Sequence, residues 1–303
     1  MASNSSTLSD RIEARLNAEV DPAVALFAAS LAKEAGAVAV LFYGSNLRTK
    51  SLDGVLDFYI LLPGEQREKI WPRVSYQERE AADGTVLRVK IATMSLSTFT
   101  KAAGGELLDT TIWARFVQPS ALVWQADETA RKGVVAAIGA AAQTAARLAV
   151  ALGPRSGTAQ DYWRALFRAT YKAELRVEKA GRENDILSVN QEDFAGLLPL
   201  ALEAAGVVHT VNGARITPSL TARERTATLS WWKRRQRMGK PLNVTRLIKA
   251  STTFEGAARY AAWKIERHTG MPVEVTPLRE KMPLLAAPSV LWALRKHRKN
   301  TKP

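Results

Sequence analysis

The chain contains no cysteine. That excludes disulfides, thiol nucleophiles and thiolate-bound zinc, and it leaves the redox compartment open. Histidine is almost as scarce. His209, His268 and His297 are scattered along the chain, which argues against a histidine-built metal site. No apolar run reaches about 18 residues, so no membrane-spanning segment is read. The first twenty residues have no apolar core of the kind a secretory signal needs, and Asp10, Glu13 and Glu19 argue against a mitochondrial presequence. Acids are in short supply throughout. Against 43 Lys and Arg stand 29 Asp and Glu, and the net charge of +14 points to a polyanionic partner: nucleic acid, a nucleotide or an anionic membrane.

What is present reads as globular. A chain of 303 residues, 47% hydrophobic and 24% charged, is long enough for two domains of ordinary size. One stretch organises the rest, Val38–Leu62. Val38–Phe42 is an apolar, partly β-branched run that predicts a buried strand, and Tyr43-Gly44-Ser45-Asn46 breaks it. Val55–Leu62 predicts a second strand, interrupted by a single carboxylate, Asp57. The strand period puts Val55, Asp57 and Tyr59 on one face and Leu56, Phe58 and Ile60 on the other. The second set is expected to be core, and the first to display a carboxylate beside the Gly-Ser turn. An acid inside a buried strand is unfavourable unless it is paired or binds a metal.

That combination has a chemical logic. Glycine lets the backbone approach a triphosphate, serine and amide donors hold its oxygens, and a carboxylate holds Mg²⁺. The arrangement resembles the start of polymerase-β-like nucleotidyltransferases. Such enzymes carry two carboxylates one residue apart, whereas the same-face neighbours of Asp57 are Val55 and Tyr59. Asp53 lies four residues earlier, roughly 13 Å away along a straight strand. Carboxylates that share Mg²⁺ each come within about 2.1 Å of it, so Asp53 helps only if Gly54 bends the chain.

The remaining pattern predicts an α+β protein. Residues 1–20 read as a tail turning helical, and Asp21-Pro22 opens an alanine-rich helix that Gly36 ends. Residues 65–80 read as short helix plus loop. The alternation after Asp83-Gly84 predicts a third strand, with Lys90 beside Asp57 if the strands pair. Helices are expected over 97–103 and 106–113, and a short strand over 121–127. From there to about 206 the chain is mainly helical, with Pro199 a break or kink. Residues 207–216, with Asn212-Gly213 at the turn, predict a hairpin, and helices before a hairpin suit a winged-helix-like module. Further helices are expected over 219–238, 243–267 and 288–298. The division expected is a tail (1–20), a nucleotidyltransferase domain with a small mixed sheet (21–126), a helical domain with the hairpin (127–218), and C-terminal helices with a basic tail (219–303).

Three more segments fall into one order: WARFVQP at 113–119, TYKAELRVE at 170–178 and GRENDILSVNQ at 181–191. Together with YGS, LDF and the RVK strand, that order resembles the mitochondrial-type phosphatidate cytidylyltransferases. These are peripheral CDP-diacylglycerol synthases of the nucleotidyltransferase superfamily. GAARYAAWKIER, 256–267, is similar to that family's C-terminal segment, so the resemblance runs as islands over roughly residues 38–267. Asn46, Val117, Gln118, Ala173 and Glu174 depart from the family pattern. The resemblance implies transfer of CMP from CTP to phosphatidate, with Mg²⁺ as cofactor. It implies that Gly44 and Ser45 hold the triphosphate and that Asp57 binds the metal, with Glu174 or Asp53 as second acid. Lys90, Arg115 and Arg176 would then neutralise phosphates.

Two basic stretches suit a membrane surface. Trp231-Trp232 precedes KRRQRMGK, and Leu291 and Trp292 precede Arg295 and Lys296. Aromatic and leucine side chains beside basic ones have the composition of an interfacial anchor. The expected location is cytoplasmic, peripheral on the inner face of a membrane, with the mitochondrial matrix as the second choice. The rival readings are a nucleotidyltransferase acting on RNA or protein, and a catalytically inactive basic binding protein of the same fold.

Overall fold

The computed structural model describes residues 7–173, 182–269 and 272–276. The elements, in order, are α1 (Leu8–Leu16), α2 (Pro22–Ala35), β1 (Ala39–Tyr43), α3 (Ser45–Thr49), β2 (Leu56–Leu62), β3 (Arg73–Glu80), β4 (Val86–Ser95), α4 (Leu96–Ala103), α5 (Thr111–Phe116) and β5 (Ser120–Gln125). They continue with α6 (Glu128–Leu152), β6 (Gly157–Thr158), α7 (Ala159–Ala173), α8 (Arg182–Val189), α9 (Gln191–Phe194), α10 (Leu197–Ala204), β7 (His209–Asn212), β8 (Arg215–Pro218), α11 (Ala222–Thr253) and α12 (Ala257–Thr269). The protein is α+β, as expected.

The main sheet is mixed, with strand order β3-β4-β2-β1-β5. β1 runs antiparallel to β2 and β5, and β2 runs parallel to β4. Both faces are covered, and strict alternation divides the strand residues between them. On one face Val40, Phe42, Leu56, Phe58 and Ile60 pack against Val24, Phe27, Ala28 and Leu31 of α2. On the other, Ala39, Leu41, Tyr59, Leu61, Ala92 and Met94 join α1, α4, α5 and α6. The face that carries Asp57 is therefore core from Tyr59 onward, not a surface. Asp57 sits where that face reaches the end of the sheet.

The second core cluster continues without a break from α1 through α6 and α7 to Trp232 of α11. α6 is its axis. Its alanines leave room for close approach, and α1, α4, α5, α7, α10 and α11 all pack on it. It is long and apolar enough to cross a bilayer, yet 72% of its most apolar window is buried inside the protein. A small sheet of order β6-β8-β7 caps the helical part, with Asn212 and Gly213 at the expected hairpin turn.

Several expectations are corrected. The predicted tail contains α1, closed by a Thr7–Asp10 capping box, with Leu8, Ile12 and Leu16 in the core. The polar stretch 65–80 ends in edge strand β3, whose only buried residue is Tyr76; an edge strand tolerates polar residues on both faces. The helix predicted over 106–113 starts at Thr111, because the Asp109 carboxylate caps the Ile112 amide and holds Arg246 of α11. Pro199 does not kink α10. It occupies the first turn, where a missing N–H loses no helical bond. α11 runs unbroken past Pro241, and a Cβ on Gly239 would lie 2.3 Å from the Ala173 carbonyl oxygen, so glycine is needed where α11 crosses α7. The helix expected at 288–298 lies outside the described residues.

Trp232 is buried and Trp231 half-buried, so the protein's own core takes up much of the ring surface expected to meet a membrane. Trp232 is 4% exposed, and both indoles pack on the buried Trp113, with ring centres 6.0 and 6.1 Å away. The Trp231 indole N–H donates to the Gly105 carbonyl at 3.2 Å, and Arg235 stacks on the Trp231 ring at 3.9 Å. Burying two large rings locks α11 to the α4–α5 corner. Trp232→Ala is expected to destabilise the protein by about 3–5 kcal/mol, as removal of a buried Trp side chain does, read as a lower urea midpoint. A midpoint unchanged within error would return Trp232 to the surface.

Candidate active site

One row of residues crosses the main sheet at its open end. Tyr76 on β3 pairs in register with Lys90 on β4, Lys90 with Asp57 on β2, Asp57 with Tyr43 on β1, and Tyr43 with Ser120 on β5. Alternation places the side chains of paired residues on the same face. The register thus sets a carboxylate and an ammonium on adjacent strands, and the expected pairing of Lys90 with Asp57 is observed.

The Gly-Ser turn closes against this row. Gly44 has φ +96°, and a Cβ there would lie 3.2 Å from Asp57 Oδ2, so both conformation and space call for glycine. Arg48 reaches back to the Gly44 carbonyl at 3.3 Å. Asn46, which departs from the family's glycine, has a structural task. It is buried and its amide donates to the Ser51 and Asp53 carbonyls at 2.9 and 2.7 Å, clamping the loop that leads into β2. Ser45 is exposed at the turn. Arg115, at the end of α5, donates to the Tyr59 hydroxyl at 3.0 Å and lies over the Tyr43 ring at 5.2 Å.

The Asp57 and Lys90 side chains are half-buried. Burial raises the Asp57 carboxyl above the usual carboxylate range, and the charges of Lys90 and Arg115 only partly offset it. Burial also lowers the Lys90 ammonium, opposed by Asp57 and reinforced by Arg115 and Lys264. Among the described residues, no side chain forms an ion pair or hydrogen bond with the Asp57 carboxylate or the Lys90 ammonium. Two unlike charges, close enough to influence each other and bonded to none of the described side chains, form an arrangement more common at binding sites than in cores.

The structure brings together Gly44, Asp57, Lys90 and Arg115 of the predicted residues. Gly54 does bend the chain, with φ +97°, but Asp53 keeps an exposed side chain while Asp57 is recessed. Among the described residues no three Asp, Glu or His side chains gather as a metal site. The single carboxylate fits Mg²⁺ in the mode where substrate phosphates and water supply most of the ligands. Glu174 and Arg176 lie outside the described residues, as do Leu291, Trp292, Arg295 and Lys296.

Sequence reasoning missed the contribution of α12. Lys264 is near enough for its charge to act on Lys90, and Arg267 Nη1 is 3.2 Å from where a Gly54 Cβ would be. The signal was available as a helical stripe, Tyr260, Lys264 and Arg267, in a segment noted only for its resemblance. A scan against models of protein families finds no match to this chain, and a search of curated proteins finds none either.

A carboxyl whose pKa rises on folding favours the folded state while protonated. That contribution is full below the unfolded range near pH ~4 and is lost as pH rises through the raised value. Asp57→Asn is therefore expected to melt at a higher temperature than the unaltered protein at neutral pH, with the gap closing as the pH falls to about 4. A variant less stable at neutral pH, with the deficit shrinking in acid, would mean that a stabilising ion pair dominates instead.

Proposed function

We propose that the chain is a nucleotidyltransferase that transfers CMP from CTP to phosphatidate, giving CDP-diacylglycerol and pyrophosphate. The observation that carries the reading is the contact of Gly44 with Asp57 at the open end of the sheet, with Lys90 in register and Arg115 above. The mixed sheet, with β1 antiparallel to β2 and β2 parallel to β4, is consistent with a nucleotidyltransferase domain. The order α6-β6-α7 to α10-hairpin, with β6 added to β8, is consistent with a winged-helix-like module behind it.

In this reading Gly44 and Ser45 receive the triphosphate, and Lys90 and Arg115 neutralise its oxygens. Asp57 would hold Mg²⁺, with Glu174 as second acid; the bound ion supplies charge neutralisation at the phosphates. The acceptor's phosphate oxygen forms a bond to the α-phosphorus while the bond from that phosphorus to the bridging oxygen breaks, and pyrophosphate leaves with the electron pair. The residues contribute position and fixed charge, with no covalent intermediate.

An open groove lined by none of Gly44, Asp57, Lys90 or Arg115 has the chemistry of a lipid site. Between α7 and α11 lies a cavity of about 660 Å³ with Leu152, Ala165, Ala169 and Leu229 among its apolar walls and Arg168, Lys172 and Lys233 among its polar ones. Apolar walls with cations suit an acyl chain that ends in a phosphate. The lone carboxylate among the described site residues favours one rival, an inactive protein of the same fold that binds phosphates.

The deciding assay combines labelled CTP, Mg²⁺ and phosphatidate vesicles, followed by lipid extraction. Label is expected in the lipid, and Asp57→Asn should reduce its formation about 10²-fold or more, the scale of losing one transition-state charge contact. Full turnover by Asp57→Asn would remove the site. CTP binding without turnover would favour the inactive rival, and label transferred to RNA but not to lipid would replace the acceptor.

A further inference from the structure

α12 crosses the sheet end in step with the strands. Tyr260 packs against Tyr76 of β3 with tilted rings, their centres 5.4 Å apart. Four residues on, the Lys264 charge reaches Lys90 of β4, the register partner of Tyr76. Three residues further, Arg267 lies against Gly54, at the entrance to β2. A helix advances about 6 Å in four residues and about 10 Å in seven. Strands are spaced by about 4.8 Å, so one turn of α12 spans one strand. The stripe Tyr260, Lys264, Arg267 therefore runs from Tyr76 of β3 past Lys90 of β4 to Gly54 at the entrance to β2.

The docking of α12 is built into the backbone. The Tyr76 amide donates to the Glu255 carbonyl at 2.8 Å, and a Cβ on Gly256 would lie 2.4 Å from the Tyr76 carbonyl oxygen. Gly256, at φ +79°, lets the chain turn from α11 into α12 flush against β3. Trp263 then sits between two guanidinium groups, Arg88 of β4 at 5.6 Å and Arg267 at 5.2 Å. α12 thus adds Lys264, which acts on Lys90, and Arg267, at Gly54, to the end of the sheet where Lys90 and Arg115 already act on the Asp57 carboxylate. Among the described residues no ion pair neutralises Lys264 or Arg267, and both are exposed.

We infer that α12 is the polyphosphate half of the nucleotide site: Lys264 and Arg267 grip the β- and γ-phosphates of a nucleoside triphosphate held at the Gly44–Asp57–Lys90 end of the sheet. The inference rests on the nucleotidyltransferase reading and adds residues from the far end of the chain to it. With Lys264 beside Lys90 and Arg267 beside Gly54, the cations are spread along the sheet end, a span that suits a triphosphate better than a single phosphate group. Arg267 adds a planar fork suited to two phosphate oxygens.

Calorimetric binding to the full chain, with CTP, pyrophosphate and CMP in turn, tests this without turnover. The unaltered protein should bind CTP and pyrophosphate more tightly than CMP. Lys264→Gln with Arg267→Gln should weaken CTP and pyrophosphate about tenfold or more, since one charged hydrogen bond is worth about a factor of ten. CMP affinity and melting temperature should stay near those of the unaltered protein. Lys264→Arg alone, which keeps that charge and leaves the Arg267 fork intact, should bind CTP and pyrophosphate nearly as tightly as the unaltered protein. Equal CTP affinity in the neutralised variant and the unaltered protein would overturn this inference alone. No CTP binding by the unaltered protein would overturn the nucleotide reading and this inference with it.

Discussion

Asp57 and Lys90 face each other across two parallel strands, half-buried and bonded to none of the described side chains. Unlike charges this close would ordinarily close into an ion pair that offsets part of their desolvation. Here no ion pair forms between them, and Arg115 adds a second cation rather than a second acid. Each group is shifted toward its neutral form by burial, and each is partly restored by the other. A core that carries such a pair loses stability unless the position has another use, and withdrawn charge at an open sheet end is what a charged ligand can exploit.

The rest of the fold keeps that pair fixed. The register of β2 with β4 cannot slip by one residue without sending Phe58 and Ile60 to the opposite face, so apolar patterning on both faces holds the charges opposite each other. Asn46 clamps the loop into β2, Arg48 pins the turn, and Gly44 leaves room for the Asp57 carboxylate. α6 fills the far side with alanine, which lets α4 and α5 approach and brings Arg115 over the row. Arg246 and the Trp231–Trp232 pair tie α11 to α5 and the chain before it, and α11 in turn delivers α12.

What the sequence disclosed follows the range of its signals. β1, the Gly-Ser turn and β2 were legible because each is a local pattern, and so was the Asn212-Gly213 hairpin. The Asp57–Lys90 pairing was legible because a period of two fixes faces once two strands are assumed to be neighbours. Edge strand β3 was hidden because its residues are polar on both sides, as an edge permits. Trp231 and Trp232 were misread for a physical reason. Aromatic rings followed by Lys and Arg describe an interfacial anchor, but they also describe a helix that buries one face and solvates the next. Composition cannot separate these, because the difference lies in Trp113, over a hundred residues earlier.

The same limit explains why the site looked poorer in sequence than in space. Read locally, residues 44–57 offer one glycine turn and one carboxylate. The cations that define the site's charge come from β4, α5 and α12, and each sits in a segment that reads as an ordinary solvated or helical stretch. Only the sheet register and the Gly256 turn bring them to one end. The strongly positive net charge of the chain therefore has a local meaning as well as a global one. Part of it is focused by low-dielectric walls onto the sheet end, where each cation acts more strongly on a bound anion than it would on an open surface.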